Sequence, residues 1–110
     1  MSNLRHEKKL CLKGLEKGFP LRDAGKNREF GIYYPCGHMI NLLVEKSLKN
    51  KDIFMFWRDL FSIELSKDGK YTHEDFFSFW KFKSDSKDIE RVMKLVYESS
   101  ADAKVLFSEI

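Results

Sequence analysis

The chain has 110 residues, of which 43% are apolar and 15% aromatic, so it can build the core of one domain and is not intrinsically disordered. Its net charge of +3 is unevenly spread, because residues 1–50 hold ten Lys/Arg against five Asp/Glu, whereas residues 51–110 hold ten against twelve. No apolar run approaches the length of a membrane-spanning helix, so we expect no membrane span.

The start of the chain is polar and charged rather than an apolar leader. We therefore expect an intracellular, cytoplasmic protein in which Cys11 and Cys36 are reduced thiols. A single disulfide between these two residues is the alternative that the sequence leaves open.

Residues 1–37 predict a basic helix followed by an irregular segment. Over residues 4–17 four leucines recur among Lys and Glu, which is typical of a short amphipathic helix that ends before Gly18 and Pro20. The stretch after it holds four of the six glycines and both prolines. Within it the sequence Phe-Gly-Ile-Tyr-Tyr is β-prone, so we expect a short extended segment near residues 29–34.

Residues 38–110 predict a helical core. An apolar stripe spans residues 39–48, and Asn50 is expected to cap a helix over residues 51–64. That helix is apolar around most of its circumference, which favours a central, buried position. Thr72 is expected to cap the next helix, which should end near Phe82.

Two shorter helices complete the chain, one beginning at Ser84 or Asp85 and the last at Ser99 or Ser100. We therefore predict a single mainly α domain, residues 1–110, built as a compact bundle of five or six short helices. Four aromatic side chains that flank the segment between the third and fourth helices are expected to meet: Trp57, Phe61, Phe76 and Trp80.

Oxygen-bearing residues alternate along residues 64–75, between the third and fourth predicted helices. They occupy positions one, three, five, nine and twelve of this window, with Gly69 at position six: Glu64, Ser66, Asp68, Thr72 and Asp75. Ca²⁺ prefers such oxygen ligands on a sharply turning backbone, and glycine permits the turn. The spacing resembles the calcium loop of the EF-hand family in a degraded form, within an EF-hand-like half that covers residues 53–110.

The resemblance implies a helix–loop–helix in which these five side chains and the Lys70 carbonyl coordinate calcium. The family begins its loop with Asp and ends it with a bidentate Glu, whereas this chain has Glu64 and Asp75 there. We therefore expect a weak or lost calcium site and no other cofactor. A second window, residues 98–109, would place Val105 in a β contact with Tyr71; it lacks the central glycine and should be metal-free.

The same residues also have an explanation that needs no metal. Thr72 and Asp75 fit a helix capping box, as do Ser99 and Asp102. Residues 67–70 fit an ordinary turn. Two helices joined by a turn would then account for the whole pattern.

Two further interpretations rest on the first forty residues. Two cysteines and two histidines could form a zinc site, although their spacing is only tolerable for one: His6, Cys11, Cys36 and His38. Basic residues recur at helical spacing along the first helix and could contact nucleic-acid phosphates, although Glu7 and Glu16 interrupt them: Arg5, Lys8, Lys9, Lys13 and Lys17.

Catalysis has little support in the sequence. The glycines form no phosphate-binding loop, and Cys36 and His38, two residues apart, do not face one another. We therefore predict a non-catalytic protein-interaction module with another protein as its partner. A basic nucleic-acid-binding domain and a small zinc-stabilised domain are the alternatives.

Overall fold

Helices make up most of the chain in the computed structural model, which describes residues 4–65 and 72–110. Six α-helices lie within these residues: α1 (Leu4–Gly14), α2 (Tyr33–Ser47), α3 (Ile53–Leu65), α4 (His73–Lys83), α5 (Asp88–Tyr97) and α6 (Ala103–Phe107). Two short 3₁₀ turns, Leu21–Asp23 and Phe30–Ile32, connect α1 to α2, and the described residues contain no strand. The prediction of a mainly α bundle of five or six short helices is confirmed. None of the described helices is both long and apolar enough to cross a bilayer.

A single buried core receives side chains from every helix. Its largest fully buried members come from α2, α3, α4 and α6: Met39, Leu43, Leu60, Trp80, Leu106 and Phe107. Cys11 of α1 and Val92 of α5 are fully buried as well. The Trp80 indole Nε1 donates a hydrogen bond to Ser47 Oγ (2.8 Å), so burial of this ring leaves no donor unpaired and joins α4 to the end of α2.

A disulfide between Cys11 and Cys36 holds α1 against α2. Both cysteines are fully buried, and their Cα atoms lie 5.0 Å apart. The expectation of reduced thiols is therefore wrong, and the alternative of one disulfide is correct. Gly14 lets the end of α1 pack closely on the turn Phe30–Ile32, because a Cβ atom at that position would overlap the side chain of Ile32.

The extended segment expected near residues 29–34 is also wrong. Phe30–Ile32 forms a 3₁₀ turn, and α2 begins directly after it at Tyr33. Pro35 does not interrupt α2, because it lies in the first turn, where a backbone N–H has no acceptor within the helix. The helical core therefore begins earlier than residue 38.

Tertiary contacts explain why this β-prone sequence becomes helical. The Tyr33 hydroxyl donates a hydrogen bond to the Arg22 carbonyl (3.0 Å) and accepts one from the Gly25 amide (2.9 Å). Ile32 is buried in the core. These contacts fix the start of α2 and outweigh the weak β propensity of the local sequence.

Helix α3 lies at the surface, contrary to the central position predicted for it. Among its described side chains only Phe56 and Leu60 are buried, whereas Phe54 is 86% exposed. Its buried face packs on α4 through Phe56, whose ring centroid lies 5.1 Å from that of Phe79. The composition of a helix cannot show how many neighbours will cover it, and in so small a domain one face remains in solvent.

Side-chain hydrogen bonds lie at the starts of α3 and α5. Asp52, rather than Asn50, caps α3, because its Oδ1 accepts from the Met55 amide (3.0 Å). Asn50 Oδ1 instead accepts from the Asp52 amide (3.0 Å). Ser86 Oγ accepts from the Asp88 amide (3.1 Å), so α5 begins later than Ser84 or Asp85.

Candidate functional site

The window that resembles a calcium loop is described only at its ends. Residues 66–71 lie outside the described part of the chain, and so does the side chain of Glu64. Thr72 Oγ1 accepts from the Asp75 amide (3.2 Å), and Asp75 Oδ2 accepts from the Thr72 amide (2.9 Å). The predicted capping box at the start of α4 is thereby confirmed, while calcium binding stays a prediction.

The second window, residues 98–109, does not adopt the extended conformation expected at Val105. This residue lies inside α6, where helix formation buries the neighbouring Leu106 and Phe107. Ser99 Oγ accepts from the Ala101 amide (3.1 Å), so the capping box expected between Ser99 and Asp102 is wrong.

The four residues predicted as zinc ligands interact with other groups of the protein. Cys11 and Cys36 share a disulfide, and zinc requires thiolates. His38 Nδ1 pairs with Glu7 Oε2, and His6 also has an interaction partner. In the described ranges, no cluster of three or more His, Cys, Asp or Glu side chains is arranged to hold a metal ion.

The basic residues of α1 line a groove of about 700 Å³ between α1 and residues 100–104, here called the basic groove. Its cations come from both sides and are called the rim: Arg5, Lys8, Lys9, Lys13 and Lys104. Among the described residues that line it, Glu16 is the only acidic one, while Leu12, Leu15, Ala101 and Ala103 supply apolar surface. Lys17, the last of the predicted phosphate contacts, lines a separate groove of about 410 Å³.

The rim cations have no carboxylate partner among the described residues. Elsewhere on the surface Lys46 pairs with Glu109 and Lys81 with Glu90. With five cations against one carboxylate among its described lining residues, the groove is predominantly positive.

Four aromatic side chains expected to meet do form a continuous row of ring contacts. Ring centroids are separated by 5.6 Å for Phe61 and Trp57, 5.5 Å for Trp57 and Phe76, and 5.9 Å for Phe76 and Trp80. Phe76 and Trp80 are buried, Trp57 is half-buried and Phe61 is 44% exposed. The row thus runs from the core to the surface instead of lying wholly inside.

Helix α3 presents Phe54, Trp57 and Phe61 along one face, here called the aromatic stripe. Their spacing of three and four residues places them one above the other on a helix. The Trp57 ring stacks on Phe76, and its Nε1 donates to Asn41 Oδ1 (2.7 Å). A fixed indole with an exposed phenylalanine one turn away is a composition typical of binding surfaces.

A charged cluster joins α5 to the last residues of the described chain. Arg91 Nη1 donates to Glu109 Oε1 (2.7 Å) and to Asp88 Oδ1 (3.2 Å). The hydrogen bond from Arg91 lowers the pKa of Glu109. Burial, followed by the neighbouring Glu109, raises the pKa of Asp88. The cluster is a structural brace, because the groups pair with one another and none lines the basic groove.

Comparison of this chain with protein-family models, with curated proteins and with solved structures finds no match. The chemistry of the described surfaces is therefore the basis on which a function can be argued.

Four of the five rim cations, Arg5, Lys8, Lys9 and Lys13, are predicted from the sequence, but the groove that they border is not. The sequence does contain a signal for the groove, because a row of leucines accompanies the row of cations. Arg5, Lys9 and Lys13 recur every four residues, and Leu12 and Leu15 lie beside them. Lys104 could not be found in this way, because only the tertiary packing of α6 on α1 brings it to the same groove.

Proposed function

We propose that this domain is a non-catalytic protein-interaction module that binds a partner protein on the aromatic stripe of α3. The observation that carries the proposal is Phe54, which is 86% exposed one helical turn before Trp57. Trp57 is held in position by Phe76 and Asn41.

Rigid aromatic side chains are effective binding residues for two reasons. Burying a large apolar side chain contributes roughly 1.5–3 kcal/mol. A ring that is already fixed, as Trp57 is, loses little conformational entropy when the partner arrives. Aromatic residues therefore supply much of the binding energy of protein interfaces, which favours a protein partner for this stripe.

Photo-cross-linking in the native cell tests this proposal. A benzoyl-phenylalanine in place of Phe54 retains an aromatic ring and should cross-link to one defined protein. The matched control carries the same residue in place of Phe82, which is 79% exposed on α4 and outside the stripe. A product specific to position 54, whose binding is then reproduced with purified components, supports the proposal. Identical products from both positions, or none from position 54, would contradict it.

The proposal includes an EF-hand-like half with a weak or lost calcium site in residues 64–75. Asp75 Oδ2 accepts a hydrogen bond from the Thr72 amide, so bidentate calcium binding by this carboxylate would require Oδ2 to share or leave the capping interaction. We expect calorimetric titration with several millimolar Ca²⁺ to give a dissociation constant on the order of 10⁻⁴–10⁻³ M.

Two variants test whether the heat comes from calcium binding at residues 64–75 or from a general change in charge. Asp68→Ala should abolish the heat, whereas Asp85→Ala, an exposed aspartate outside the window, should leave it unchanged. A sub-micromolar dissociation constant would contradict the expectation of a weak or lost calcium site. The absence of heat would show that the site is lost and leave capping as the role of Thr72 and Asp75.

A further inference from the structure

We propose that the basic groove binds an acidic amphipathic helix of a partner protein. The groove lies on α1 and α6, so this proposal concerns a second surface and stands independently of the aromatic stripe on α3. Three properties of the groove point to this occupant: the spacing of its cations, its apolar floor and the hydrogen bonds that join its walls.

The cations of the groove form a regular row. Arg5, Lys9 and Lys13 follow one another at intervals of four residues along α1, which corresponds to a rise of about 6 Å between neighbours. A second helix that carries carboxylates at the same interval matches this row. Lys104 of α6 adds a cation from the opposite side. Such complementary charges steer a partner into place and fix its register.

The floor of the groove is apolar. Leu12 is half-buried and Leu15 is buried, and both lie next to the row of cations. Ala101 and Ala103 line the opposite side, where their small side chains leave space for a larger apolar group. A matching partner therefore needs an apolar row beside its acidic row, which is the pattern of an amphipathic helix.

Hydrogen bonds within the protein join the two walls of the groove. Ser100 is buried between them, where its Oγ donates to the Leu15 carbonyl (3.2 Å) and its amide donates to the Gly18 carbonyl (3.2 Å). The Cys11–Cys36 disulfide holds α1 from its other face. A preformed groove lowers the entropic cost of binding.

Nucleic acid and fatty acid fit these features less well. None of the described residues that line the groove is aromatic, so bases would find no ring on which to stack. A fatty acid offers a single carboxylate to five cations, whereas an acidic helix offers several.

Fluorescence anisotropy with the complete, disulfide-linked chain tests the proposal at physiological salt. The probe is a labelled synthetic helix with glutamates at intervals of four and leucines in the adjacent row. A scrambled peptide of identical composition is the control for pattern. Lys9→Glu/Lys13→Glu reverses two rim charges, and Lys49→Glu/Lys87→Glu makes the same change in net charge at two exposed lysines outside the groove. Leu12→Asn tests the floor.

We expect saturable binding of the patterned peptide, weakened about tenfold or more by the rim variant and less than about threefold by its control. Leu12→Asn should weaken it about three- to tenfold, and circular dichroism should show that all variants are folded. Equal binding of the scrambled peptide, equal loss in both charge variants, or no saturable binding would overturn the proposal. Displacement of the peptide by an oligonucleotide at lower concentration, with affinity that Leu12→Asn does not change, would assign the groove to nucleic acid instead.

Discussion

At the scale of single residues, Trp80 and Phe82 show how two aromatic side chains on one helix differ in role. They lie two residues apart on α4, yet Trp80 is fully buried and Phe82 is 79% exposed. Trp80 also donates its indole N–H to Ser47, whereas the exposed ring of Phe82 stacks on the outer side of the buried Phe79. Residue type does not distinguish the two side chains. They differ because Trp80 lies on the face of α4 that contacts the end of α2, whereas Phe82 lies on another face.

Replacing Trp80 by alanine should lower the free energy of unfolding by about 3–5 kcal/mol, because it removes a large buried ring and leaves a cavity. Phe82→Ala should lower it by less than about 1 kcal/mol, since its ring lies mostly in water. Urea denaturation of both variants measures these values. A similar loss in the two would show that α4 is oriented differently from the structure.

At the scale of elements, the disulfide decides how α1 meets the rest of the bundle. Cys11 and Cys36 are separated by 25 residues in sequence, and they connect α1 to the first turn of α2. Closing a loop of this length lowers the conformational entropy of the unfolded chain. This loss raises the free energy of unfolding by about 3–4 kcal/mol. The link also supports one wall of the basic groove.

Reduction of this disulfide should therefore lower the free energy of unfolding by about 3–4 kcal/mol. Urea denaturation with and without a thiol reductant measures the change. In a Cys11→Ala/Cys36→Ala variant the reductant should have no effect, which provides the control. Equal stability of the oxidised and reduced native chains would contradict a structural role for the link.

The charged cluster between α5 and the last residues makes opposite contributions to stability as pH changes. Glu109 has a pKa below its ordinary value of 4.5, so its contribution is present above that pH and is lost as pH falls through the folded-state pKa. Asp88 has a pKa above its ordinary value of 3.8, so it removes stability as pH rises from 3.8 through the folded-state pKa. The two effects partly offset one another in mildly acidic solution.

Glu109→Gln should lower the pKa of Asp88, because it removes the negative neighbour that helps to raise it. Titration of the Asp88 carboxyl carbon by NMR measures this shift directly. Glu98→Gln, an exposed glutamate outside the cluster, should leave the Asp88 titration unchanged. An unaltered Asp88 titration in Glu109→Gln would leave burial as the sole cause of its raised pKa.

At the scale of the whole molecule, local sequence patterns predicted more than tertiary relations did. Helical periodicity and the Thr72 cap identified most helices, because these signals depend on neighbours along the chain. The disulfide, the early start of α2 at Tyr33 and the exposure of Phe54 depend on which elements pack together. For the same reason the rim cations of α1 were predictable, whereas Lys104 and the groove itself were not.

Binding of the cross-linked partner to purified variants tests the role of the aromatic stripe most directly. Phe54→Ser and Phe82→Ser each remove one exposed ring, and both variants should keep a free energy of unfolding within about 1 kcal/mol of the native chain. We predict that Phe54→Ser weakens the partner's dissociation constant about tenfold or more, and that Phe82→Ser changes it less than about threefold. Equal affinities for the two variants, or a Phe54→Ser chain that has lost its fold, would contradict the assignment of this stripe to partner binding.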